Sequence, residues 1–114
     1  DIAPVAAATL TKQGHIGKAY TLTGGETLDH QEIARAISGA SGRTVQYVAI
    51  SEEAARRSLD AAGLSSERTE RLLGFYRLVR QGFCAPVSSD VQTVLGRAPL
   101  SFGEFASDNA SCWR

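Results

Sequence analysis

Between Ala19 and Ile50 three patterns follow one another without slack. Tyr20 and Leu22 alternate with Thr21 and Thr23, the period-2 signature of a short strand over Ala19–Thr23, and Gly24-Gly25 ends it. Asp29 then opens a helix. Glu32, three residues on, completes a capping-box pattern, and Leu28 and Ile33 are spaced to form a hydrophobic staple. Ile33, Ile37 and Ala40 give that helix one apolar face, and Gly42 supplies a left-handed stop. Thr44 to Ile50 is rich in β-branched residues and reads as a second strand. Strand, helix and strand with such short joints make a βαβ unit, whose strands run parallel through a right-handed crossover. Two parallel strands do not finish a sheet, so the edge calls for a missing part of a larger protein, a protein partner or a second copy in a homodimer.

The remainder of the chain reads as helix. Asp1 and Pro4 fit the first turn of a helix reaching Lys12, with Ile2, Val5, Ala6, Thr9 and Leu10 on one side. Ser51 caps a helix to Ala62 that carries Glu52 and Glu53 in its first turn and turns Ala55, Leu59 and Ala62 inward. Ser65 or Ser66 opens the longest helix, stopped at Gly82 and striped by Leu72, Phe75, Tyr76 and Val79. A short helix from Ser89 to Leu95 ends at Gly96. Ser101 and Glu104 then repeat the capping box for a last helix toward Trp113. The expected fold class is therefore α/β: a small, helix-rich single domain over residues 1–114, with one two-stranded βαβ unit and about six helices. The chain has no Met and opens inside a helical turn, which reads as a fragment cut at an element boundary.

Composition closes several functional classes. Lys plus Arg and Asp plus Glu are both 12, so no basic field is available for nucleic acid or an anionic membrane. No apolar run approaches the ~20 residues of a membrane span, and no signal-peptide layout is present at the N-terminus. Cys84 and Cys112 form neither a disulfide framework nor a Cys-x-x-Cys motif, which makes a reducing cytoplasm the expected compartment and the two thiols packing residues or bystanders.

The chemistry of a catalytic centre is sparse. His15 lies between glycines in a turn and His30 in the first turn after the Asp29 cap, and neither belongs to a nucleophile–base–orienter arrangement. No His/Cys/Asp/Glu cluster has metal-ligand spacing. Gly24-Gly25 is followed by neither a Lys-Ser/Thr pair nor a Gly-x-Gly-x-x-Gly run, so it reads as a turn rather than a phosphate cradle. Tyr76 and Arg80 have the spacing of a Tyr-x-x-x-Lys pair, but Arg stays protonated and differs from Lys in shape and hydration. What is left is Leu72, Phe75, Tyr76 and Val79: plain core in the simpler reading, or the wall of an apolar substrate pocket with Tyr76 as its polar tip.

Asp1-Ile2-Ala3, Tyr20-Thr21-Leu22-Thr23-Gly24, Glu32-Ile33-Ala34, Gly42 to Tyr47, and Gly96 to Phe105 together resemble the C-terminal part of NmrA-like, atypical short-chain dehydrogenase/reductase proteins. The resemblance spans nearly the whole chain in order and spacing. It implies a parent with an N-terminal Rossmann domain that binds NAD(P), followed by a C-terminal region that helps to form the cleft for a small-molecule substrate. Some members are reductases, and others are redox sensors that bind a partner protein. This chain is then expected to be the substrate-side portion, without the glycine-rich fingerprint and with no cofactor or catalytic residue of its own. The alternative is a protein-binding or regulatory module that acts through a sheet edge and the aromatic helix face. On the first reading, titrating the 114-residue chain into NAD(P)H leaves the dinucleotide fluorescence unchanged; a stoichiometric quench or shift would contradict it.

Overall fold

A computed structural model describes residues 1–113 and consists of helices and connecting segments. The helices are α1 (Ile2–Thr11), α2 (His30–Ser41), α3 (Glu52–Ala61), α4 (Ser66–Arg80), α5 (Asp90–Leu95) and α6 (Phe102–Asp108), followed by a 3₁₀ turn at Ala110–Trp113. No strand occurs among the described residues, so the expected βαβ unit is absent and the chain is all-helical rather than α/β.

The physical reason for that correction lies in which groups take the backbone hydrogen bonds. Thr21 N–H donates to Asp90 Oδ2 at 2.7 Å, and the Ser88 hydroxyl donates to Thr21 C=O. Ser88 N–H in turn donates to Thr23 Oγ1 at 2.9 Å. In the other segment Val45 N–H donates to Ser38 Oγ at 2.9 Å, and the Ser38 hydroxyl faces the carbonyls of Ala34 (2.7 Å) and Val45 (3.2 Å). Thr21 in the first would-be strand and Val45 in the second thus bond through serine and aspartate side chains instead of a neighbouring strand.

The chain divides into two compact units, residues 1–46 with 87–113, and residues 47–86. In the first, α1 packs on α5, and α2 packs on α6 and the 3₁₀ turn. Val5, Ala8 and Val94 form its buried cluster, with Tyr20, Leu22 and Leu95 against it. The inward face of α1 is therefore Val5 and Ala8, while Ile2 and Leu10 are 74% and 86% exposed, contrary to the face read from spacing. Asp1 occupies the N-cap position without capping through its side chain. Its Oδ2 accepts Leu100 N–H at 2.7 Å, and its Oδ1 lies 2.8 Å from Arg97 Nη1 without an aligned N–H. The two expected capping boxes form as read: Asp29 with Glu32 at 2.7 and 2.8 Å, and Ser101 with Glu104.

The second unit is a helical hairpin. Leu73 and Thr69 are its buried side chains. A polar ladder on every fourth residue of α3 joins the two helices: Glu52 with Arg77 and Arg80, Arg56 with Glu70, and Asp60 with Thr69, whose hydroxyl donates at 3.0 Å. Glu52 pairs with the far end of α4 and Asp60 with its beginning, so the helices run antiparallel. Both end in Schellman turns. Leu64 N–H reaches Leu59 C=O, Phe83 N–H reaches Leu78 C=O, and Gly63 and Gly82 take φ near 83°.

The ladder is acid-sensitive. Hydrogen bonds from Arg77 hold the Glu52 carboxyl down at about 2, against a smaller opposing effect of burial and with the charges of Arg77 and Arg80 assisting. A carboxyl depressed in the folded state stabilises fully above its unfolded value, near 4.5, and that contribution fades as pH falls toward 2. Glu52→Gln should accordingly lower the helix melting temperature by a few degrees at pH 7 and leave it little changed at pH 2, as followed by circular dichroism.

Candidate functional site

The α4 stripe is only partly a wall. Leu72 and Val79 are half-buried, whereas Phe75 and Tyr76 are 51% and 41% exposed, with ring centroids 6.4 Å apart at 52°. A helical residue covers the patch over the turn before it, so these four present one continuous surface on the hairpin, apolar apart from the phenol of Tyr76. Arg77 and Arg80, which flank it, are engaged by Glu52. The surface carries a phenolic hydroxyl, and Arg68, four residues before Leu72 on the same helix face, is exposed and pairs with no carboxylate among the described residues.

The first unit contains a concavity that the sequence did not announce. It is an open groove of about 410 Å³ between the start of α1, the Leu22–Leu28 turn, α5 and the Leu100–Phe105 segment. Val91 is buried beneath it, while Phe102 and Phe105 stand on one side with centroids 5.8 Å apart, and Trp113 lies 6.3 Å beyond Phe105. Gly25 stands close at its rim, where a Cβ would come within 3.3 Å of the Pro99 ring and ask it to give by a few tenths of an ångström. The signal for this groove was present in the Gly24-Gly25 pair and the Gly96–Phe105 run. Neither is periodic, so a search for helix and strand patterns passes over both. None of Leu72, Phe75, Tyr76 and Val79 lines it.

The remaining candidates are dispersed. His15 Nδ1 lies 2.8 Å from the Tyr20 hydroxyl with the rings edge to face, an arrangement that fixes the Gly14–Gly17 turn against the core residue Tyr20. His30 begins α2. Cys84 and Cys112 are exposed free thiols. Among the described residues no three His, Cys, Asp or Glu side chains come together as a metal site, and no helix is long and apolar enough to cross a membrane.

The starts of α2 to α6 do not fit the pyrophosphate of a nicotinamide dinucleotide. A pyrophosphate needs free N–H groups and positive potential at a helix N-terminus behind a glycine-rich turn. Gly24-Gly25 leads instead to α2, whose first-turn N–H groups face the Asp29 and Glu32 carboxylates. Glu52 and Glu53 occupy the first turn of α3, Glu67 that of α4, Asp90 that of α5 and Glu104 that of α6. These helix starts are already neutralised by acids.

Comparison with known proteins places this geometry in context. No family model matches the chain. It is 38% identical over 113 residues to NAD(P)H azoreductase of Xenophilus azovorans, covering 99% of this chain and 40% of that protein. It is 26% identical over 113 residues to agroclavine dehydrogenase of Claviceps fusiformis, again covering 99% of the chain and 39% of the relative. Among solved structures it superposes on triphenylmethane reductase of Citrobacter sp. complexed with NADP(H), with a TM-score of 0.80 and 28% identity over 96% of this chain and 38% of that one. The chain spans about two fifths of the length of the relatives it matches, and the matched stretch is their C-terminal part. Over nearly all of its length, this chain is thus similar to the C-terminal part of NAD(P)-dependent reductases, a likeness that extends to fold and does not single out the NmrA-like group among them.

Proposed function

We propose that this chain is the substrate-binding C-terminal portion of an NmrA-like NAD(P)-dependent oxidoreductase and is not catalytic by itself. The observation that carries the proposal is the likeness to reductases over two fifths of their length, and the acids in the first turns of α2 to α6 support it. The electron carrier is then held by a Rossmann domain of the parent, and this portion supplies surface to the substrate. Leu72, Phe75, Tyr76 and Val79 form that surface. Its aromatic character suits a flat aromatic substrate, which stacks on Phe75 and Tyr76 and accepts or donates one hydrogen bond at the phenol. Two similar proteins are named for such molecules, an azoreductase and a reductase of triphenylmethane dyes.

The role of the α4 residues under this reading is to bind and orient. Apolar contact removes water from one side of the substrate, and the Tyr76 hydroxyl sets its rotation. No proton transfer is assigned to this chain.

A titration of the 114-residue chain with an azo dye, followed by dye absorbance, tests the proposal. Phe75→Ala combined with Tyr76→Ala should weaken binding by roughly ten-fold, the loss of about 1.4 kcal/mol expected for two half-exposed aromatic contacts. Leu10→Ser, which removes a still more exposed apolar side chain from α1, should leave binding unchanged. Equal loss in both variants would reduce the effect to unspecific hydrophobic adsorption, and dye-dependent NADPH oxidation by the chain alone would refute the non-catalytic role.

A further inference from the structure

The hairpin of α3 and α4 holds six arginines and five acids over residues 47–86. Each of the five carboxylates already accepts a hydrogen bond from another side chain, two within a helix and three across the hairpin, and together they engage five of the arginines. Arg68 is left over. Its side chain makes no hydrogen bond or ion pair among the described residues, and only its backbone N–H is used, by the Ser65 cap. Its position on α4 matters as much as its freedom. At 3.6 residues per turn Arg68 falls inside the sector bounded by Phe75 and Tyr76, in line with Leu72 and Val79, whereas the other charged residues of α4 fall outside it. A solvated arginine needs no ligand, but one set at the end of an apolar stripe makes that stripe aromatic at one end and cationic at the other.

Taking the α4 stripe as the substrate wall, we infer that Arg68 determines its specificity: the aromatic substrate carries an anionic substituent, a carboxylate or sulfonate, at the end remote from the ring stacked on Phe75 and Tyr76. The spacing suits such a molecule. Arg68 stands one turn before Leu72 and roughly 10 Å of helix axis before Phe75. Helical side chains lean toward the N-terminus, so the rings of Phe75 and Tyr76 lie over the turn that precedes them and close part of this interval. Two linked aromatic rings lying along the helix bridge the remainder. The chemistry of the side chain suits it as well, because a planar guanidinium presents paired N–H donors to two oxygens of one anionic group. Binding there strips no carboxylate of its partner, whereas recruiting Arg77 or Arg80 would take a donor from Glu52.

Two dyes that differ by a single group test the inference on the 114-residue chain: 4-hydroxyazobenzene and its 4′-sulfonate, each titrated by absorbance at low salt and at a mildly acidic pH that keeps the dye phenol protonated. The sulfonate should bind about five-fold more tightly, and the preference should shrink toward parity at high salt because the pair is exposed. Arg68→Gln should abolish the preference by weakening the sulfonate dye alone. Arg68→Lys should keep part of it, as a point charge without the paired donors. Arg71→Gln, which changes the net charge by the same amount outside the stripe, should leave it intact. Phe75→Ala combined with Tyr76→Ala should weaken both dyes alike. Equal affinity for the two dyes, a preference that survives Arg68→Gln, or one lost equally in Arg71→Gln would overturn the inference and leave the substrate wall standing. Failure of both dyes to bind, or binding indifferent to the double aromatic variant, would overturn the wall and this inference with it.

Discussion

The first unit depends on a small hydrogen-bonded knot. Ser88 and Asp90 bind the backbone of Thr21 and the hydroxyl of Thr23, joining segments 65 to 69 residues apart in sequence. That knot holds Tyr20 and Leu22 over Val5, Ala8 and Val94, and so fixes α1 against α5. It also sets the Leu22–Leu28 turn opposite α6, which is what opens the groove. Each bond is worth about 1 kcal/mol, yet together they replace the ladder that a neighbouring strand would provide.

The distribution of apolar surface ties this architecture to function. Fourteen large apolar side chains are exposed, while the buried hydrophobic set numbers seven and includes three alanines. α1 is apolar on nearly all sides, a property of helices that are covered on both faces. Such surface belongs to a part that works against something else, whether substrate, a second copy or the remainder of a reductase. The polar ladder between α3 and α4 explains how the hairpin tolerates it: Glu52, Arg56 and Asp60 hold the two helices together without spending their apolar residues on each other.

The local features were legible in the sequence because their causes are local. Asp29 and Glu32, Ser101 and Glu104, and the stops at Gly42, Gly63, Gly82 and Gly96 act within a few residues, and each sits where its spacing placed it. The two strands were misread for the opposite reason. Alternation at Tyr20–Thr23 and β-branching at Thr44–Ile50 report a preference for extended backbone, but a strand exists only with a partner, and serine and aspartate side chains took that place. The inward face of α1 was ambiguous because an Ala-rich helix has weak amphipathicity, so tertiary contact with α5 decided it. The groove lies between four segments whose proximity no spacing rule encodes.

The interruption of the first unit by the hairpin has a consequence for how the chain comes to be. Residues 47–86 form contacts close in sequence, and a helical hairpin of this kind closes rapidly and without help from the rest. The first unit must wait, since Tyr20 and Leu22 have no anchor until Ser88 and Asp90 emerge some 65 residues later. On the ribosome the hairpin is thus finished while α1 and α2 are still unsatisfied. A module that folds early within a late-folding frame can also change its surface residues without endangering that frame. The exposed residues of α4 are therefore free to vary while the knot around Thr21 stays as it is.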